Sequence, residues 1–291
     1  MTKHVTRRDF LKGSAGLVMG GALGLSAAQQ APKSQVVLIR RPDAVEAGSC
    51  FNAEVIGEML DEAVTALLDT PDATAAWKTL IKPGETVGIK SNVWSYLPTP
   101  AEVEQHLKRR VMEAGVKEND VAIDDHGVKE NPVFKRSTAL LNVRPIRTHY
   151  LAGMSGCIKN FIMFAPSQPA LHPNSCADLG STFKLPQVKG KVRLNILCCL
   201  TPQFHGRGPH HFSRRYVWDY NGILMSRDPV AVDTIGLELI KAKRRQVLGK
   251  ARELPPVPKH IELADTRHGI GVGDLARIEL IKLGWQQDIL I

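Results

Sequence analysis

Between Lys82 and Asp125 the chain reads as strand, helix, strand, and this alternation limits the possible folds more than any other feature. "KPGETVGIKSN" (82–92) is a turn followed by a short strand ending near Lys90. Pro100 opens a helix through "AEVEQHLKRRVMEAG", the position proline favours, and Gly115 closes it. "DVAIDD" (120–125) is the next strand. The same rhythm runs before and after. "QVVLIR" (35–40) is a β-branched apolar run, "NAEVIGEMLDEAVTALLD" (52–69) has apolar residues at helical spacing, and a second helical piece surrounds Trp77. "VRPIRTHY" (143–150) reads as a further strand. Residues 151–221 break the pattern with Gly, Pro, His and Asn, leaving one clear strand at 192–199. "GILMSRDPVAVDTIGLELIKAKRR" (222–245) restores it as a strand running into a helix. The reading predicts an α/β fold: a largely parallel sheet flanked by helices, in a single compact domain with an irregular insertion around residues 151–221.

The first 28 residues follow a different logic. "VTRRDFLKGSAGLVMGGALGLSAA" sets a basic segment with Lys3, Arg7, Arg8 and Lys12 before a weakly apolar run and a small-residue end at Ser26 to Ala28. That is the layout of a secretory signal, and the paired arginines resemble the twin-arginine address read by an export receptor. A membrane anchor needs about 20 apolar residues, whereas Gly13, Gly16, Gly20, Gly21 and Gly24 interrupt this run. The chain is therefore expected to divide into a twin-arginine signal over 1–28 and an α/β domain over 29–291. Its partner would be the twin-arginine export machinery and its destination the periplasm, with the signal either cut or retained as an anchor. After processing no stable membrane span is expected.

Of the net charge of +9, a product starting at Gln29 would keep +6, because residues 1–28 hold four basic side chains and one acidic. The densest basic cluster, Lys241 to Arg245, suits a helix C-terminus, where cations complement the helix dipole. The surplus charge points to a small anionic ligand and away from nucleic acid. The five cysteines show no CxxC spacing, so no obligatory disulfide framework is expected.

In open α/β sheets, ligands gather outside the carboxyl ends of the strands. There the sequence offers Lys90 and Asn92 after one strand, Asp125 and His126 after the next, and His205 and His210 beyond the late one. "LAGMSGCIKNF" adds Gly153 and Gly156, which allow close backbone approach, then Lys159 and Asn160 as a cation and an amide in fixed register. These residues, with Arg207, form the candidate site. Asp125, His126 and Lys159 would do the chemistry; Lys90, Asn92, Gly153, Gly156, Asn160 and Arg207 would hold the anion. A divalent metal would draw on His205 and His210, with Asp125 and His126 as companions. Asp228, directly before Pro229, is a helix cap. Asp233 lies inside an apolar helix face and must be hydrogen-bonded, ion-paired or exposed, serving as a cap or a support for the site.

"GIKSN", "GMSGCIKNF" and above all "SRDPVAVDTIGLELI" resemble the segments that mark the domain of unknown function 362 family, from about Val36 to Ala276. The resemblance implies a single α/β domain and frequent twin-arginine export, with no assigned activity. Some relatives carry iron–sulfur clusters through a ferredoxin-like cysteine motif, and the lack of that motif here speaks against a cluster. Two functions follow from the sequence. One is an exported enzyme acting on a small anionic substrate, with or without a metal or cofactor. The other is an exported binding protein for an anion, metal or redox cofactor, without turnover.

Overall fold

A computed structural model describes residues 33–46, 50–206, 212–249 and 254–291. Strand β1 (Ser34–Arg40) leads through the two-residue arms β2 (Val45–Glu46) and β3 (Cys50–Phe51) to helices α1 (Ala53–Leu68) and α2 (Ala73–Leu80). Asn52 and Asp72 cap these helices by accepting the amides of Val55 and Ala75. Then come β4 (Val87–Lys90), α3 (Ala101–Glu113), β5 (Val121–Asp124) and the short α4 (Pro132–Arg136). The middle of the chain holds β6 (Ala139–His149), β7 (Gly153–Ser155), the short helices α5 (Cys157–Asn160) and α6 (Pro173–Cys176), and β8 (Val192–Gln203). It closes with β9 (Gly222–Ser226), α7 (Pro229–Leu248), α8 (Lys259–Thr266) and β10 (Ile278–Gly284).

Eight of the strands form one sheet in the order β10-β1-β9-β8-β6-β4-β5, with β7 paired to β6, while β2 and β3 pair with each other separately. Only β9 and β7 run against the others, so the sheet is largely parallel as the alternation predicts. Parallel strands are buried on both faces. On one face α1, α2 and α3 set Met59, Leu60, Trp77 and Leu107 against Ile89, Leu141 and Ile196. On the other, α5 and α7 set Ile158, Val232 and Leu239 against Leu38, Ile146 and Leu197. Asp61 ties the first layer together, accepting Trp77 Nε1 at 2.8 Å and pairing with Arg110.

Three features depart from the sequence reading. The strand expected at 143–150 begins at Ala139, because Leu140 and Leu141 are as buried as the rest. The one expected to end at residue 199 runs on to Gln203. Helix α8 and strand β10 were not expected at all. Strand β10 lies at the sheet edge, where Glu279 and Lys282 face solvent. Charges on an edge strand prevent edge-to-edge pairing and also blur the alternation by which a strand is recognised.

Candidate functional site

Strand β4 ends at Lys90, in register with Asp124 of β5 and Asn142 of β6. Strand β6 does not stop there. It continues to His149, and β7 folds back on this overhang, pairing Arg147 with Ser155 and His149 with Gly153. Arg144, Arg147 and His149 on the overhang, Asn92, Asp125 and His126 from the strand ends, and Lys159 and Asn160 from α5 line one cavity of about 170 Å³.

Its floor is closed by an ion pair. Lys90 Nζ lies 2.5 Å from Asp125 Oδ1 and also donates to Ser91 O and to Asn160 Oδ1, at 2.6 and 3.2 Å. Burial pushes the Lys90 amine down to about 8, with Asp125 pulling the other way. Burial pushes the Asp125 carboxyl up, but Lys90 and the Val93 amide, at 2.9 Å from Oδ2, hold it below the usual carboxylate range. The Asn160 amide nitrogen donates to Lys90 O, Asn142 Oδ1 and Val143 O. Asn160 therefore locks α5 onto β4 and β6 rather than reaching for a ligand.

Above this pair the charge is one-sided. Arg144, Arg147 and Lys159 are 3, 6 and 5 % exposed. Arg147 donates through Nη1 to Asn92 Oδ1 at 3.0 Å, its Nε has no partner, and its guanidinium sits 4.2 Å from the centroid of the Trp94 ring. Arg144 donates to Pro145 O at 3.3 Å. Lys159 Nζ lies 3.3 Å from His172 Nε2. Burial lowers the pKa of both arginines, that of Arg147 strongly, with Arg144 adding to the shift. Burial brings the Lys159 amine to about 8, and the two arginines add to the shift. Among the described residues none of the three cations forms an ion pair.

Two histidines complete the lining. His149 Nδ1 accepts the amides of Leu151 and Ala152, at 3.1 and 3.3 Å, so its proton is on Nε2. Burial, then Lys159 and the arginines, drive its pKa down to about 2, which leaves a neutral donor. The His126 side chain is 71 % exposed, with Nε2 3.7 Å from Asp125 Oδ2.

The glycines serve the protein itself. Gly153 has φ of +73°, and a Cβ there would meet Pro256 O at 2.1 Å. A Cβ on Gly156 would lie 2.3 Å from Asp233 Oδ1. That carboxylate fills the place at the start of α5 where the sequence suggested a ligand: Oδ1 accepts Cys157 N at 2.6 Å and Oδ2 accepts Ile158 N at 2.9 Å. Burial raises the Asp233 carboxyl to about 7, with the two amides and Arg144 opposing. Asp228 accepts the amides of Val230 and Ala231, capping α7, and its other oxygen takes Ser34 Oγ and Val272 N.

The remaining sequence candidates lie elsewhere. His205 stands 3.0 Å from Arg244 Nη1 and lines a second cavity with Thr148, Tyr150 and Gly153. It is not gathered with Asp125 and His126. Arg207 and His210 fall outside the described residues, among which no three His, Cys, Asp or Glu side chains are arranged to hold a metal. His172 sits before a turn that is left-handed through Asn174, Ser175 and Cys176, with φ of 52°, 58° and 61°. Such a conformation costs about 1–2 kcal/mol per residue, and here it carries the histidine that meets Lys159.

The family model described as domain of unknown function (DUF362) matches residues 106–238, and that of the twin-arginine translocation pathway signal sequence matches residues 4–24. The chain carries a DUF362 domain behind an export signal. No curated protein and no solved structure matches the chain. The DUF362 match takes in Asp125, Arg144, Arg147, Lys159 and Asp233, while Lys90, Asn92 and Trp94 precede it. The signal directs the protein across the membrane to the periplasm or beyond, and among the described residues no helix is long and apolar enough to cross a membrane.

A larger groove of about 460 Å³ runs between α7 and α8, lined by Leu237, Val257 and Ile261 with Lys241, Glu262 and Asp265 at its edges. No unpaired buried charge lines it, so the smaller cavity is the stronger candidate. Sequence reasoning missed Arg144, Arg147 and Trp94. The available signal was "VRPIRTHY" itself: two arginines and a histidine in a strand that the sheet must bury.

Proposed function

We propose that this exported protein is an enzyme acting on a small, multiply charged anion held in the cavity above β4 and β5. One observation carries the reading: Arg144, Arg147 and Lys159 are buried around a common space with no ion-pair partner among the described residues. Burying an isolated charge costs far more than burying a paired one, so three such cations are balanced best by a ligand carrying two or more negative charges. Arg144, Arg147 and the His149 Nε2–H supply donors for its oxygens. Turnover is supported by Lys159, whose amine at about 8 is next to the His172 ring and can exchange a proton near neutral pH. Of Asp125 and His126, either of which was expected from sequence to exchange the proton, Asp125 has both oxygens engaged by Lys90 and the Val93 amide.

That same engagement favours a second reading, capture without turnover, because it withdraws Asp125 from proton transfer. The two readings share the anion and differ in the role of the amine. Calorimetric titration at pH 7 with inorganic phosphate and with succinate tests the common part: saturable heat at one site per chain is expected, lost in Arg144→Met. Absence of heat from both anions would remove the site. Conversion of a bound anion to product by wild type, abolished in Lys159→Met, separates enzyme from binder.

A further inference from the structure

The chain leaves the carboxyl end of β4 through "SNVWSYLP" (91–98). It has only four tryptophans and four tyrosines, and this loop places one of each within three residues. Trp94 lines the cavity with Arg147 against its face. Tyr96 stacks on Phe212, with ring centroids 4.8 Å apart and planes at 23°. Trp94 stands edge-on to both, at 5.2 and 5.7 Å. The cluster is not sealed: Tyr96 is 51 % exposed and Val93 beside it 52 %. Scattered exposed apolar residues are ordinary, but a contiguous patch bordering a charged cavity is characteristic of a binding surface.

Size decides how the two parts can be shared. An apolar cavity of about 150 Å³ is filled by one benzene ring, so a cavity of about 170 Å³ that is open on one side holds an anionic group with little room for a ring beside it. An anion that fills the cationic space must place the rest of itself at the mouth, against Trp94 and Tyr96. We infer that the ligand is an aromatic anion, its charged group between Arg144, Arg147 and Lys159 and its planar ring packed on the Trp94–Tyr96 wall. The inference rests on the anion site proposed above and adds the chemical class of the remainder. Arg147 links the two halves: Asn92 fixes its Nη1 and Trp94 covers one face, so a single guanidinium meets both the charge and the aromatic wall.

The test uses pairs of anions that share a head and differ in the ring: phenyl phosphate against methyl phosphate, and phthalate against succinate. The full exported chain is titrated by calorimetry. The aromatic member of at least one pair is expected to bind about tenfold more tightly, as one added ring contact of this kind warrants. Tyr96→Ala should bring that pair to near-equal affinity, whereas Tyr96→Phe should keep the preference, and the exposure of Tyr96 makes folding of both variants safe. Equal affinity of both pairs in wild type, or a preference that persists in Tyr96→Ala, overturns the aromatic subsite while leaving the anion site standing. If none of the four anions binds, the anion site and the aromatic subsite fall together.

Discussion

Lys90 Nζ and Asp125 Oδ1 meet at 2.5 Å with both side chains closed off from solvent, joining the ends of two neighbouring parallel strands. Removing one member leaves the other buried and unpaired, the costly way to break such a pair. Asp125→Ala is expected to lower stability by about 3–5 kcal/mol, and Lys90→Met with Asp125→Leu to recover most of that loss. Urea denaturation of the two variants checks the asymmetry.

Arg144 gives the converse case. Among the described residues no carboxylate forms an ion pair with it, and burial lowers its pKa despite the more distant charges of Asp125 and Asp233, so Arg144→Met should stabilise the fold without added anion by about 1 kcal/mol or more, a rise of roughly 2–4 °C in Tm. Wild type is expected to gain Tm with phosphate, and the same variant should lose that gain. Thermal melts with and without phosphate read both effects.

Under the proposed function, Lys159 would set the pH dependence of anion binding. Its amine, at about 8 in the free protein, is lifted by a neighbouring anion, so binding at pH 8–9 takes up a proton. Affinity is expected to hold from pH 6 to 8 and to fall above 8 as the free amine loses its charge. Calorimetry in two buffers of different ionisation enthalpy detects the uptake, and Lys159→Met should abolish it.

Asp233 acts on stability instead. A carboxyl raised from 3.8 to about 7 on folding contributes stability that is fully present below about pH 4 and lost as pH rises through 7. Asp233→Asn should remove that part of the slope. Gly156→Ala, whose Cβ would lie 2.3 Å from Asp233 Oδ1, should push the carboxylate off its two amides and cost about 1–3 kcal/mol. Denaturation of both variants at pH 5 and pH 8 tests the two statements together.

The export signal gives a prediction independent of the cavity. Replacing Arg7 and Arg8 together by lysine keeps the charge and removes the guanidinium geometry read by the receptor. Folded protein should then accumulate inside the cell, as fractionation would show.

Much of this molecule was legible in its sequence because apolar periodicity and strand ends are local properties. Strands β4 and β5 and helices α1, α3 and α7 follow from spacing alone; the strand-end rule named Asn92, Asp125 and His126, and the glycine-spaced segment Lys159, all of which line one cavity. Two things were not local. The overhang of β6 depends on how far its neighbours extend, so Arg144 and Arg147 read as ordinary strand residues. Strand β8 likewise runs past residue 199 to Gln203, and His205 ends beside Arg244 rather than over Asp125. Gly153 and Gly156 were expected to let a ligand approach the backbone, whereas the groups that approach there are Pro256 and Asp233, far along the chain, where no short motif reveals them.

The overhang of β6 also bears on history. Because the arginines are carried by a strand woven into the sheet, the cavity is complete as soon as the chain has folded, with no later assembly step. A twin-arginine signal consigns cargo that has already folded, so under the proposed function the anion that first neutralises Arg144 and Arg147 would be drawn from the compartment of synthesis. The protein would then cross the membrane as a carrier of that passenger, and whatever it meets outside must compete for an occupied seat.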